Sequence, residues 1–115
     1  MQSTDVIKAL AALAQETRLA IFRLLVTRGP EGLFAGAIGE QLGISPQTLS
    51  FHLKELANAR LIAARQDGRF IIYTANFACM NDLLGFLSDN CCGGNPCTAK
   101  PATGAKGKRM TAAKV

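Results

Sequence analysis

A chain of 115 residues with a net charge of +5 is one small domain with room for a tail. No run of 18 apolar residues occurs, which excludes a membrane-spanning helix. The start lacks the basic opening and apolar stretch of a signal peptide, so a cytoplasmic protein is expected.

Bulk basicity is not what a partner would recognise. Lys100, Lys106, Lys108, Arg109 and Lys114 supply the excess charge, and the other eight basic residues are matched by eight acidic ones. Any attraction to nucleic acid must therefore come from the placement of particular side chains.

Ser3 or Thr4 is suited to cap a first helix over roughly residues 4–14. Its apolar face is Ile7, Leu10, Ala11, Leu13 and Ala14. Glu16-Thr17 opens a second helix, apolar on more than one side through Leu19, Ile21, Phe22, Leu24, Leu25 and Val26, and so expected to be central. Gly29-Pro30 ends it, and the stretch from Pro30 to Gly36 reads as loop.

The next two segments belong together. Ala37–Leu42 is a short helical segment, Gly43-Ile44-Ser45 is a tight turn, and Pro46 onward is a second helix. Ser45 is an N-cap and Pro46 occupies the first helical position, where its missing N–H is no loss. Leu49, Leu53 and Leu56 form one apolar stripe, and Gln47, Ser50, Phe51, Lys54 and Asn58 lie opposite it. Helix, glycine-containing turn and capped helix make a helix-turn-helix, whose second helix presents its N-terminal residues to the major groove. Gln47, Ser50, Phe51 and Lys54 are the candidate groove contacts, with Thr48 near phosphate and Ser45 a further candidate DNA-binding residue; Phe51 could meet a thymine methyl.

Leu61–Arg65 and Phe70–Thr74 read as strands around Gln66-Asp67-Gly68-Arg69, and Asp-Gly between such runs is a hairpin signal. A hairpin directly after a recognition helix is a wing. Arg65 and Arg69 flank its tip as candidate phosphate or minor-groove contacts. Asn76 is suited to cap a last helix over about residues 77–89, with Phe77, Met80, Leu83, Leu84 and Leu87 on one face. The fold class expected is mainly α (α+β): a winged helix-turn-helix of about five helices and a two-stranded β-hairpin wing. Apolar stripes on both terminal helices point to a homodimer, which would set two recognition helices on the half-sites of a double-stranded, palindromic operator.

Cys91, Cys92 and Cys97 lie within seven residues, and Gly93-Gly94 and Asn95-Pro96 could turn Cys97 back beside the pair. In a reducing compartment such thiols suggest metal binding or redox chemistry. Three soft donors without a fourth fit a trigonal-pyramidal ion such as As(III) or Sb(III) better than four-coordinate zinc. A redox thiol set and incidental cysteines are the other readings. Cys79 reads as a small buried apolar residue, and His52, beside the leucine stripe, as a packed or locally bonded side chain rather than a ligand. The expected organisation is therefore 1–90 for DNA binding and dimerisation, 91–97 for the metalloid, and 98–115 as a flexible basic tail whose lysines could add salt-sensitive phosphate attraction.

Over about residues 5–92 the sequence resembles the ArsR/SmtB family of metal-responsive repressors. The resemblance is carried by Glu16-Thr17-Arg18-Leu19, by Ser45-Pro46-Gln47-Thr48-Leu49-Ser50-Phe51-His52-Leu53, and by Leu61-Ile62 to Gly68-Arg69. It implies a homodimer that blocks transcription without metal and leaves DNA when metal binds. Many arsenic sensors of that family carry Glu-Leu-Cys-Val-Cys-Asp-Leu where this chain has Gly32-Leu33-Phe34-Ala35-Gly36-Ala37-Ile38, and its last helix has no His for a zinc site. The remaining Cys91, Cys92, Cys97 set resembles variant arsenic sensors with a C-terminal site. The expectation is an As(III)-responsive repressor with Sb(III) as a second candidate inducer. A thiol-redox or persulfide sensor on the same scaffold is the alternative. No catalytic base, phosphate loop or oxyanion arrangement marks an enzyme.

Overall fold

The computed structural model describes residues 1–94. Among the described residues there are five α-helices, α1 (Ser3–Leu13), α2 (Glu16–Arg28), α3 (Ala35–Leu42), α4 (Pro46–Asn58) and α5 (Phe77–Ser88). Three strands, β1 (Leu33–Phe34), β2 (Ile62–Asp67) and β3 (Phe70–Ala75), form one sheet in the order β1-β3-β2. The architecture is the expected winged helix-turn-helix, with two differences in detail.

The first difference is the third strand. The stretch expected as loop contributes β1, which pairs antiparallel with β3 through Leu33↔Tyr73 and Phe34↔Ile72. Gly32 admits this strand. Its φ is +67°, and a Cβ there would run into the Tyr73 carbonyl oxygen, so backbone meets backbone only because the side chain is missing. Two paired residues are too few to show a strand period in sequence.

The second difference lies at the helix starts. Neither Ser3 nor Thr4 caps α1; Gln2 holds that position, with its N–H 3.3 Å from the Asp5 carboxylate. Asp5 takes the orphan amide and so starts the helix one residue earlier. Gln15 caps α2, its Oε1 accepting from the Arg18 amide at 2.9 Å. Ser45 and Asn76 cap α4 and α5 as expected.

Ile21, Leu25, Ile38, Leu56 and Leu61 are the largest fully buried side chains; α2 supplies two of them and packs against α1, α3, α4 and β3, so it is central as expected, with Leu19 and Arg23 on its exposed side. α4 is held at its far end by a tight reversal. Arg60 takes φ +65°, Leu61 N–H bonds back to Leu56 O at 3.0 Å, and Asn76 reaches Arg60 O through Nδ2 at 2.9 Å. The 6→1 bond over a left-handed residue is a Schellman-type stop, here with arginine in place of the usual glycine. Asn76 thus fixes the end of α4 and the start of α5 together.

On α1 the fold buries Val6, Ala9 and Ala12, while Ile7 (65% exposed) and Leu10 (41%) face outward. On α5 it buries Cys79 and Leu83 and leaves Leu84 (56%) and Leu87 (57%) outside. No helix among the described residues is long and apolar enough to cross a membrane.

Candidate nucleic-acid interface and cysteine segment

α4 is divided as its spacing dictates. Leu49, His52, Leu53 and Leu56 are buried, and Gln47, Thr48, Ser50, Phe51 and Lys54 are exposed. Ser45 accepts from the Thr48 amide at 3.4 Å and donates to Thr48 Oγ1 at 3.0 Å. The cap therefore also orients the Thr48 hydroxyl at the start of the exposed face. α3 ends at left-handed Gly43, and Ile44 N–H closes onto Gly39 O at 2.9 Å, which sets the turn between the two helices. The exposed face is polar, hydrogen-bonding and aromatic, with Lys54 as its single cation. It can read base edges but supplies little non-specific charge.

His52 is not available to solvent. Its Nδ1 lies 3.3 Å from Arg18 Nη1, and its ring meets the Phe51 ring edge-on at 5.4 Å between centroids. This agrees with a packed side chain, but its hydrogen bond is long-range rather than local. The Arg18 partner, 34 residues away, leaves no local signal in the sequence.

The wing corrects one expectation. β2 runs through Asp67, so the turn is Gly68-Arg69 alone, closed by the pair Asp67↔Phe70. Gly68 has φ +63° and Arg69 does not share the positive φ, the pattern of a hairpin turn with glycine in the first central position. Arg69 sits at the tip. Arg65 does not: it faces Ile72, inside the strand, and its guanidinium donates to the carbonyl oxygens of Pro30 and Glu31 at 3.3 Å each. Those carbonyls belong to the 3₁₀ turn Gly29–Glu31, so Arg65 clamps wing to turn. Phe34 of β1 and Phe70 of β3 are in ring contact, tilted at 44° with centroids 5.0 Å apart.

The cysteines divide by environment. Cys79 is buried in α5, and burial, with Asp82 adding to it, pushes its thiol pKa up. That fits its reading as a small apolar residue. Cys91 and Cys92 are exposed in the 3₁₀ turn Cys91–Gly94, with their sulfurs 3.6 Å apart and Cys92 at φ 57°. That separation is thiol contact, well beyond the roughly 2.05 Å of a disulfide. Cys97 and the basic tail lie outside the described residues. Among the described residues no cluster of three or more His, Cys, Asp or Glu side chains is assembled to hold a metal ion.

A helix-turn-helix domain family model matches residues 13–65. The chain is 46% identical over 70 residues to the uncharacterized HTH-type transcriptional regulator YceK of Bacillus subtilis (strain 168), covering 59% of this chain and 69% of that protein. Among solved structures it is similar to an ArsR-like transcriptional regulator from Rhodococcus sp. RHA1 (TM-score 0.67, 29% identity, 74% and 77% of the two chains). It is also similar to a homodimeric winged helix-turn-helix DNA-binding domain from Mycobacterium bovis (TM-score 0.60, 25% identity, 80% and 85%). A further structural neighbour is the antimony-specific transcriptional repressor AntR (TM-score 0.59, 28% identity, 74% and 76%).

Proposed function

Because this chain belongs to the ArsR family of helix-turn-helix transcriptional regulators, we propose that it represses transcription as an operator-bound homodimer and releases DNA when As(III) is taken up by Cys91, Cys92 and Cys97. The observation that carries the DNA half is the exposed face of α4: Gln47, Ser50, Phe51 and Lys54 stand clear of a helix whose opposite face is buried. In this reading Thr48, exposed at the start of α4, and Arg69, in the wing turn, meet phosphate. Arg65, engaged with backbone carbonyls, contributes by holding the wing rather than by reaching DNA.

The dimer half rests on Ile7 and Leu10 of α1 and Leu84 and Leu87 of α5, large apolar side chains that the protomer leaves in water. Covering them against a second copy would place two α4 helices on successive major grooves.

Cys91 and Cys92 offer two adjacent soft donors at the end of the α5 arm, and Cys97 follows five residues after Cys92. Arsenous acid and three thiols give As(SR)₃ and three waters, with no change of oxidation state. Similarity to an antimony-specific repressor supports a trivalent metalloid, and Sb(III) has the same lone pair and thiol preference. Closing that ring next to α5 would alter the dimer geometry, and release follows to the extent that the metalloid binds the DNA-free geometry more tightly.

The 3.6 Å approach of the Cys91 and Cys92 sulfurs favours a second reading, in which an oxidant or a polysulfide converts thiols of this segment to a disulfide or persulfide. Fluorescence anisotropy on the chain's own promoter, titrated with arsenite, antimonite, zinc and diamide, separates the two. Release by arsenite that is lost in Cys91→Ser and Cys92→Ser supports the metalloid site. Release by diamide with arsenite inert supports the redox reading and removes the first.

A further inference from the structure

The Arg18-His52 link carries an inference that rests on the operator-binding reading above. We infer that Arg18 is a positioning residue for operator recognition: it ties the end of α1 to the buried side of α4 and so sets the angle at which α4 meets the groove.

Three interactions fix Arg18. Its backbone amide is capped by Gln15 Oε1 at 2.9 Å. Its Nε donates to Ala12 O at 2.7 Å, one of the last carbonyls of α1, which have no partner within the helix. Its Nη1 stands 3.3 Å from His52 Nδ1. A guanidinium only donates, so Nδ1 must offer its lone pair and the imidazole proton must sit on Nε2. One planar group thereby measures the distance from α1 to α4 in a fixed fork.

The placement gives this bond consequence. His52 is 7% exposed, and the preceding residue, Phe51, is 56% exposed on the reading face with its ring against the imidazole. α1, at the other end of the link, carries Ile7 and Leu10 outward, on the proposed dimer face. Arg18 therefore connects the helix that sets dimer geometry to the helix that reads bases. A part-buried polar link adds little net stability over an apolar pair of the same size, but it specifies orientation where apolar packing tolerates several.

The test uses the full chain, a duplex that the wild type selects from a random pool, and a scrambled duplex of the same length. Arg18→Met and His52→Leu remove the bond, whereas His52→Asn keeps an acceptor where Nδ1 stands. Arg18→Met and His52→Leu should lower the selected-to-scrambled affinity ratio roughly ten-fold or more. Scrambled-duplex affinity and the dimer dissociation constant should stay within about two-fold, and the double variant should be no worse than the poorer single one. His52→Asn should keep most of the ratio. ¹⁵N NMR of the wild type should show a neutral imidazole protonated on Nε2.

An unchanged ratio with a lowered melting temperature would reduce Arg18 to holding the fold and overturn the inference. So would a His52→Asn variant as impaired as His52→Leu, or an imidazole protonated on Nδ1. Should Arg18→Met fail to fold, the two His52 variants and the tautomer decide. A wild type that selects no duplex overturns the operator-binding reading and this inference with it; a failure confined to the variants overturns this inference alone.

Discussion

Arg65 donates to the Glu31 carbonyl oxygen across the base of the wing, at 3.3 Å and over 34 positions of sequence. With its second bond, to Pro30, it uses the forked guanidinium to join β2 to the turn that precedes β1. This separates two arginines that are alike in sequence, because only Arg69 is left at the wing tip.

The two should behave differently on substitution. Arg69→Ala should leave the melting temperature unchanged and lower the slope of log affinity against log salt by about 1, the signature of one lost phosphate contact. Arg65→Ala should leave that slope nearly unchanged and lower stability by about 0.5–1 kcal/mol, since its bonds are solvent-exposed. Anisotropy titrations across a salt series, with thermal melts alongside, check both. A larger slope change for Arg65→Ala would return Arg65 to the DNA contacts.

Phe51 should separate folding from reading. At 56% exposure it contributes little to the core, so Phe51→Ala should alter stability by less than about 0.5 kcal/mol. Loss of a base contact should weaken operator binding by about 1–3 kcal/mol, most at a thymine position in the half-site. Comparing operators with thymine and uracil at that position, which differ by the methyl group, checks the contact itself.

Leu10→Glu and Leu87→Glu should yield folded monomers. Both side chains are exposed in the protomer, so circular dichroism should keep its helical signal while sedimentation shifts to the monomer mass. Operator affinity should fall steeply, since one reading helix replaces two. A dimer that survives both substitutions would place the interface elsewhere.

The three described cysteines should differ in reactivity. Cys91, exposed, should be alkylated in the native protein at pH 8, and Cys92, also exposed, with it, whereas Cys79 should react only on unfolding. The raised Cys79 pKa also has a stability consequence. The fold favours the neutral thiol, so its contribution is fully present below the thiol pKa of the unfolded chain and is lost as pH rises through the higher folded value. Stability should therefore fall on the alkaline side, above about pH 8.5. That loss should be smaller in Cys79→Ala, measured as denaturation midpoint against pH.

Where apolar periodicity and local caps act, the outcome is legible in the chain alone. Leu49, Leu53 and Leu56 set which side of α4 is buried, Ser45 and Asn76 set where α4 and α5 begin, and the strand-like runs around Gly68 set the hairpin. Each depends on neighbours within a few residues, so each is legible in one dimension. The tertiary structure alone decided the rest: that Leu33-Phe34 joins the sheet, that Arg65 turns back to Pro30 and Glu31, and that Arg18 finds His52. These contacts join residues 34 or more positions apart. Their donors and acceptors are common side chains and backbone groups, and nothing local selects the partner. Distance in the folded chain, rather than residue type, decides which arginine is bonded to the Pro30 and Glu31 carbonyls and which is left at the wing tip.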